Sequence, residues 1–255
     1  MDRYEMGDII DVACRAGKII LENGGETYRV EDTMRYVCKA FGINECDCYA
    51  TPTTIIISAK HNGEVFSRMM RINTRGVDLY KVKLVNEFSR TIVNQPMTSV
   101  EAKAVLAEID ATPAYNLIIS VAAAALGTAS FTVIFGGGIM HFISGMLLGA
   151  ILRSLLSYLS KIRLEYFTTN LLGGATAAAG GWVMGFSGIL PDWWIVTLSA
   201  IMQMVPGLIF TNALRDSAAG DLVSGSSRGV EALSIVAALA CGAGVALMLL
   251  ARLEG

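Results

Sequence analysis

One stretch of the sequence, from Gln203 to Glu231, gathers Gln203, Pro206-Gly207, Asn212, Arg215, Asp216, Asp221, Ser224, Arg228 and Glu231 between two apolar runs. The Pro-Gly pair removes a backbone donor and frees carbonyls, and in a bilayer such a break must line protein or water. Transporters hold polar solutes at interrupted helices of this kind, whereas a plain packing kink would give the same string. The polar residues that follow read equally well as a solvated cytoplasmic loop.

Three other patterns bear on catalysis or metal binding. Gly225-Ser226-Ser227-Arg228-Gly229 matches the G-x-S-x-G nucleophile elbow in letters, but that elbow needs a preceding strand and a histidine within reach. The histidines are His61 and His141, and the residues before Gly225 do not alternate, so the match reads as a flexible loop entering the last helix. Gly220-Asp221 resembles half of an intramembrane aspartyl protease signature. Ala218 stands where its first glycine should be, and the nearest second acid, Asp216, lies on the same segment. Cys46 and Cys48 would share one face of a strand, yet no Cys-x-x-Cys pair or histidine joins them, which leaves them as core thiols. No catalytic residue, metal ligand or cofactor is therefore expected.

The elements that carry these residues divide into two classes. Up to Pro113 there are 14 Lys/Arg and 16 Asp/Glu; beyond it there are 6 and 6. A formal charge of −2 with mean hydropathy +0.53 gives no basic footprint for nucleic acid. Five cysteines, an odd number, are too few for a disulfide scaffold and imply reduced thiols. From Ala111 to Leu152 no charged residue occurs in 42 positions, about twice the roughly 20 that cross a bilayer core.

Gly136-Gly137-Gly138 divides that run into spans Tyr115 to Phe135 and Ile139 to about Leu159, a helical hairpin. Tyr166 to Phe186, Trp193 to Leu214 and Ala232 to Ala251 follow, which makes five. Glycines at Gly145 and Gly149, Gly181 and Gly185, with Gly173, Gly174 and Gly180, predict close helix packing. Lys161, Arg163, Arg215 and Arg228 fall in loops on one side and none in Gly136–Gly138 or Ser187–Asp192, so the positive-inside rule sets the N-terminus in the cytoplasm. No basic, apolar leader opens the chain, so no cleaved signal peptide is expected.

Residues 1–113 read as a cytosolic α+β domain and 114–255 as the membrane domain of about five helices. Ile9, Val12, Ala13, Ala16, Ile19 and Ile20 recur at helical spacing, stopped by Asn23-Gly24-Gly25. Val30, Met34, Val37, Cys38 and Phe41 mark a second helix closed by Gly42. Thr53–Ala59 and Glu64–Ile72 flank His61-Asn62-Gly63 as a β-hairpin. Leu79, Val82, Val85, Phe88 and Ile92 define a third helix, and Thr98-Ser99 caps a fourth carrying Val100, Ala104 and Ile109 towards the membrane.

Two strings carry a resemblance that spans essentially the whole chain. Gly24-Gly25-Glu26-Thr27-Tyr28-Arg29-Val30-Glu31-Asp32-Thr33-Met34 and Pro206-Gly207, Asn212, Arg215-Asp216, Gly220-Asp221, Gly225 and Arg228 through Glu231-Ala232 are similar to the two signatures of the threonine/serine exporter family. The resemblance implies a multi-pass exporter of the cytoplasmic (inner) membrane. Fused members continue into a smaller membrane module that this chain lacks, which implies the split form, working with a small polytopic membrane partner or as a homo-oligomer. Some split pairs export dicarboxylates such as succinate, so the solute is either a threonine/serine-type amino acid or a dicarboxylate.

Joined to the residues, the resemblance makes Arg215 the counter-charge for a substrate carboxylate, with Asn212 and the backbone at Pro206 and Gly207 as polar ligands. Asp216, Asp221 or Glu231 would carry a coupling proton. The competing class is a membrane-tethered enzyme using Glu26, Arg29 and Glu31, beside Gly25 and Thr27, as an acid/base and binding group; the same residues serve equally as a capping and salt-bridge set.

Overall fold

The computed structural model describes residues 3–61, 63–113, 115–162 and 164–252. It divides into two compact units: Met1–Ala114 with Leu208–Gly229, and Tyr115–Gly207 with Val230–Gly255. A boundary at residue 113 leaves Leu208–Gly229 with the spans; the compact units instead group that segment with the N-terminal residues.

In the first unit, α1 (Arg3–Glu22) is the central helix, with Ile9, Val12, Ala13, Ala16, Ile19 and Ile20 all in the core. Gly24 at φ +90° supplies the left-handed stop, and Gly25 N–H closes the turn on the Ile20 carbonyl at 2.9 Å. Helix α2 (Thr27–Ala40) buries Val30, Met34, Val37 and Cys38, and Gly42 at φ +80° ends it. Three antiparallel strands follow in the order β1 (Glu45–Thr51), β2 (Thr54–His61), β3 (Glu64–Arg71).

The expected hairpin is β2–β3, with His61 opposite Glu64; Asn62 of its turn lies outside the described residues. Strand β1, expected only as the strand that would carry Cys46 and Cys48, pairs Thr51 with Thr54 and Glu45 with Lys60. Cys48, Ala50, Ile55, Ile57 and Ala59 form the buried side of the sheet. Helix α3 (Leu79–Asn94) is capped by the Asp78 carboxylate, which accepts from the amides of Tyr80 and Lys81.

Helix α4 (Ser99–Ala111) opens on a reciprocal box in which Thr98 accepts from Glu101 N–H and Glu101 accepts from Thr98 N–H. It buries Ala102, Leu106 and Ile109, whereas Val100 is exposed. The helix packs on α1 along that stripe. Asp11, nearly buried, accepts Arg15, Arg68 and Lys103 at 2.9–3.6 Å and ties α1, β3 and α4 together.

In the second unit, α5 (Leu117–Ile134) and α6 (Ile139–Lys161) form the expected hairpin around Gly136 at φ +87°. A Cβ on Gly145 or Gly149 would stand 2.6 Å from Thr132 Cγ2 or Thr128 Oγ1, so these glycines allow the two helices to touch. Helices α7 (Tyr166–Phe186) and α10 (Leu222–Ala251) meet backbone to backbone, Gly174 against Leu239 and Gly242 against Leu171. Arg163 of the preceding loop lies outside the described residues.

Helices α5, α6 and α10 are long and apolar enough to cross a membrane, and Ile118, Ile134, Leu147 and Met248 point outward. Helix α7 carries no charged residue, but five glycines and Asn170 dilute its hydropathy. The run Trp193 to Leu214, expected as one span, is instead α8 (Trp193–Met202) and α9 (Gly207–Ala218), bent at the four residues ending in Pro206. Among the described residues three helices therefore qualify as spans, or four if the bent pair counts as one.

Candidate functional site

The first signature string and the part of the second from Asn212 to Arg228 meet within the first unit. The turn after α1 presents the carbonyls of Gly24 and Gly25, which no helix can satisfy because the chain reverses there. Asn212 of α9 donates its amide to Gly24 O at 3.0 Å, and Arg228 of α10 donates Nη2 to Gly25 O at 2.9 Å. Glu26 takes the N-cap position of α2 but makes no side-chain cap bond. Its carboxylate instead accepts Arg29 Nε at 3.1 Å and Arg215 Nη1 at 2.5 Å. Thr27 Oγ1 donates to Asp216 Oδ1 at 2.8 Å, and the other carboxylate oxygen lies 3.0 Å from Arg228 Nε.

Spacing on α9 explains the convergence: Asn212, Arg215 and Asp216 stand at i, i+3 and i+4, on one helical face. Arg228 reaches the same place because Gly225 lets the start of α10 lie close to α9, where a Cβ would meet Ser217 Oγ and the Ala213 carbonyl. The site is dry at its base. Asn212 and Asp216 are each 1% exposed and Arg228 is 7% exposed, while the Arg215 side chain is 55% exposed. Two carboxylates face three guanidiniums there, and Asn212 Oδ1 and Ser224 Oγ have no hydrogen-bond partner among the described residues. The cluster can hold the turn after α1 against α9 and can present one guanidinium, Arg215, to a carboxylate from outside.

The remaining residues singled out from sequence stand apart. Asp221 caps α10, its Oδ1 accepting from Ser224 N–H at 3.1 Å. Glu31 accepts Arg35 and the Ala50 amide, each at 3.1 Å, and so ties α2 to β1. Pro206, Gly207 and Glu231 belong to the second unit. Gly225–Gly229 is helical within α10, which corrects its reading as a flexible loop: Asp221 starts the helix four residues earlier. The solvated-loop reading of Asn212, Asp216 and Arg228 is corrected likewise, since all three are buried in helices. Arg228 was named in the string but given no role; a cation heading an apolar helix needs a buried acid, and that demand is the signal that points to Asp216.

Residues 11–250 match the profile of a family described as "Putative threonine/serine exporter". The chain belongs to the threonine/serine exporter family. It is 24% identical over 260 residues to the threonine/serine exporter of Corynebacterium glutamicum, covering 97% of this chain and 52% of that protein. It is 20% identical over 245 residues to the "Probable threonine/serine exporter" of Mycobacterium tuberculosis (strain ATCC 25618 / H37Rv), covering 95% of this chain and 46% of that protein. The chain thus spans about half the length of the curated relatives it matches. No solved structure matches it. The helices long and apolar enough to span a bilayer agree with membership of a family described as exporters.

Proposed function

We propose that this threonine/serine exporter family member moves small polar, carboxylate-bearing metabolites of the threonine and serine type out of the cell, with Arg215 as the carboxylate-binding cation. The observation that carries the reading is the pairing of Arg215 with Glu26: a carboxylate already sits on a half-exposed guanidinium through one nitrogen. Substrate carboxylate would compete with Glu26 for the guanidinium fork, with Asn212 and the backbone at Pro206 and Gly207 as the other proposed polar ligands. Gly25, Thr27, Arg29 and Glu31 hold the turn and helix that present Glu26. Asp216, Asp221 and Glu231 are the proposed proton carriers. Protonation of Asp216 would discharge its pair with Arg228 and weaken its hold on Thr27.

The proposal includes five spans: α5, α6, α7, the bent pair α8–α9 taken as one, and α10. It sets the chain in the cytoplasmic membrane with the N-terminus inside, an orientation that puts Lys161, Arg215 and Arg228 near the span ends of the inner side. It also includes assembly with a small polytopic partner or further copies of this chain. A dicarboxylate such as succinate is the alternative solute, since it meets the same guanidinium.

Efflux of preloaded labelled serine, threonine and succinate, compared in cells with and without the chain and its partner, tests the function and separates the solutes. Equal efflux for all three in both strains refutes it. Reporter fusions after Gly137 and Pro191 should read external, and those after Lys161 and Gly220 cytoplasmic; the inverse pattern refutes the orientation.

A further inference from the structure

Three thiols meet between α2 and β1, away from the exporter signatures' ion-paired cluster. Cys46 Sγ lies 3.3 Å from Cys38 Sγ and 3.5 Å from Cys48 Sγ. Cys38 and Cys48 are buried, while Cys46 is half-buried and reachable. Tetrahedral zinc, with Zn–S of about 2.3 Å, spaces its sulfurs about 3.8 Å apart, wider than either separation here. No group of His, Cys, Asp or Glu among the described residues is placed to hold a metal ion. A separation of 3.3 Å is instead that of two sulfurs in van der Waals contact, short of a bond.

We propose that Cys46 and Cys38 form a reversible dithiol–disulfide couple that low-molecular-weight disulfides oxidise, with Cys46 the attacking sulfur. The Cys46 thiolate attacks one sulfur of the small disulfide RSSR, whose S–S bond breaks and expels RS⁻, leaving Cys46 in a mixed disulfide. Cys38 then gives its proton to the expelled thiolate, and its sulfur attacks Cys46 Sγ, releasing the second RS⁻. The two cysteines lose two electrons and RSSR is reduced to two thiols.

Cys46 is suited to the first step because its sulfur shares hydrogen bonds with Cys38 and Cys48 and the Arg35 guanidinium lies near, which together hold it at about 4. Burial and the neighbouring Cys46 push Cys38 and Cys48 up, so neither competes as nucleophile. Cys48 is also poorly placed as the resolving thiol. It stands two residues from Cys46 in β1, so the Cα atoms are about 6.6 Å apart, at the upper limit for a disulfide. Cys38, on α2 across from β1, has no such constraint.

The test is oxidation of the purified full-length chain in detergent with oxidised glutathione, followed by differential alkylation and peptide mapping. Expected are the loss of two free thiols from Cys38 and Cys46 to one intramolecular bridge, and their full return with dithiothreitol. C48S should still form the bridge, and C38S should stop at a glutathione adduct on Cys46. Full alkylation of Cys46 after oxidant, a Cys46–Cys48 bridge, or stoichiometric metal released from the untreated protein would each overturn the proposal. Mapping of the unmutated chain decides it even if C38S fails to fold.

Discussion

Asp216→Asn changes one atom in the most buried ion pair of the structure. The Asp216 side chain is 0% exposed and that of Arg228 8%, with the charged atoms 3.0 Å apart. Asparagine fits the same space and can still accept from Thr27, but it takes away the carboxylate charge that faces the Arg228 guanidinium, whose bond to the Gly25 carbonyl is to a neutral acceptor. At an effective dielectric constant of about 20, the lost attraction is about 5.5 kcal/mol before desolvation is subtracted. Breaking one side of a buried pair costs about 3–5 kcal/mol in practice. For a unit of this size that corresponds to a fall in melting temperature on the order of 10 °C.

The assay is thermal unfolding of the purified chain in detergent, with the cycle completed by Arg228→Leu and the double variant Asp216→Leu/Arg228→Leu. Removing both charges leaves none uncompensated, so the double variant should recover most of the loss of the worse single one. Arg215→Gln offers an internal contrast: its pair with Glu26 is more than half exposed on the arginine side and should cost only about 1 kcal/mol. An Asp216→Asn protein that melts with the unmutated one, or a double variant no better than the worse single, would refute the claim that a buried charge pair holds the turn after α1.

Arg215→Lys keeps the charge but loses the two-pronged donor, so efflux should fall with a tenfold to hundredfold loss in apparent affinity, about 1.5–3 kcal/mol, at normal membrane abundance. Wild-type efflux in that variant removes Arg215 from the site. Gly242→Ala should lower stability by about 1–3 kcal/mol, because its Cβ would enter the backbone of Leu171, and thermal unfolding measures it. Gly244→Ala, with open space around its Cα, is the silent control. Because the thiolate is the nucleophile, a thiol of ordinary pKa, about 8.5, loses reactivity about tenfold per unit as pH falls below that value. Cys46, held at about 4, should instead alkylate at a steady rate from pH 8 down to about 5, and a tenfold fall per unit would contradict the assignment.

What the sequence made legible was local. The apolar stripe of α1, the glycine stop at Gly24, the Thr98 cap and the α5–α6 hairpin each rest on residues within a few turns of one another, so spacing alone declares them. Strand β1 was harder: Glu45-Cys46-Asp47-Cys48 alternates acid with thiol, a pattern that buries half a strand without a β-branched residue to announce it. The site was legible in its residues and not in its geometry. Glu26 and Arg215 are 189 positions apart, and so are Thr27 and Asp216; no periodicity connects such pairs. The charges in the second string looked like loop residues because their partners lie in the first string.

Pro206 explains why the apolar run from Trp193 breaks. Trp193 to Leu214 is apolar enough to be one continuous span, but a straight helix through it would carry Asn212, Arg215 and Asp216 onwards along the same axis. Each Arg or Asp at mid-membrane costs about 2.5–3.5 kcal/mol, and an Asp216 without Arg228 would have no counter-charge. Pro206 removes the amide that would join the next turn to the last, so α8 stops at Met202 and α9 starts afresh at Gly207. From there the Asn212–Arg215–Asp216 face is free to meet Gly24, Glu26 and Thr27, and Gly225 lets Arg228 complete the set. The glycines at 24, 25 and 225 are thus as much a part of the site as its charges: they set the backbone that lets two distant strings neutralise each other.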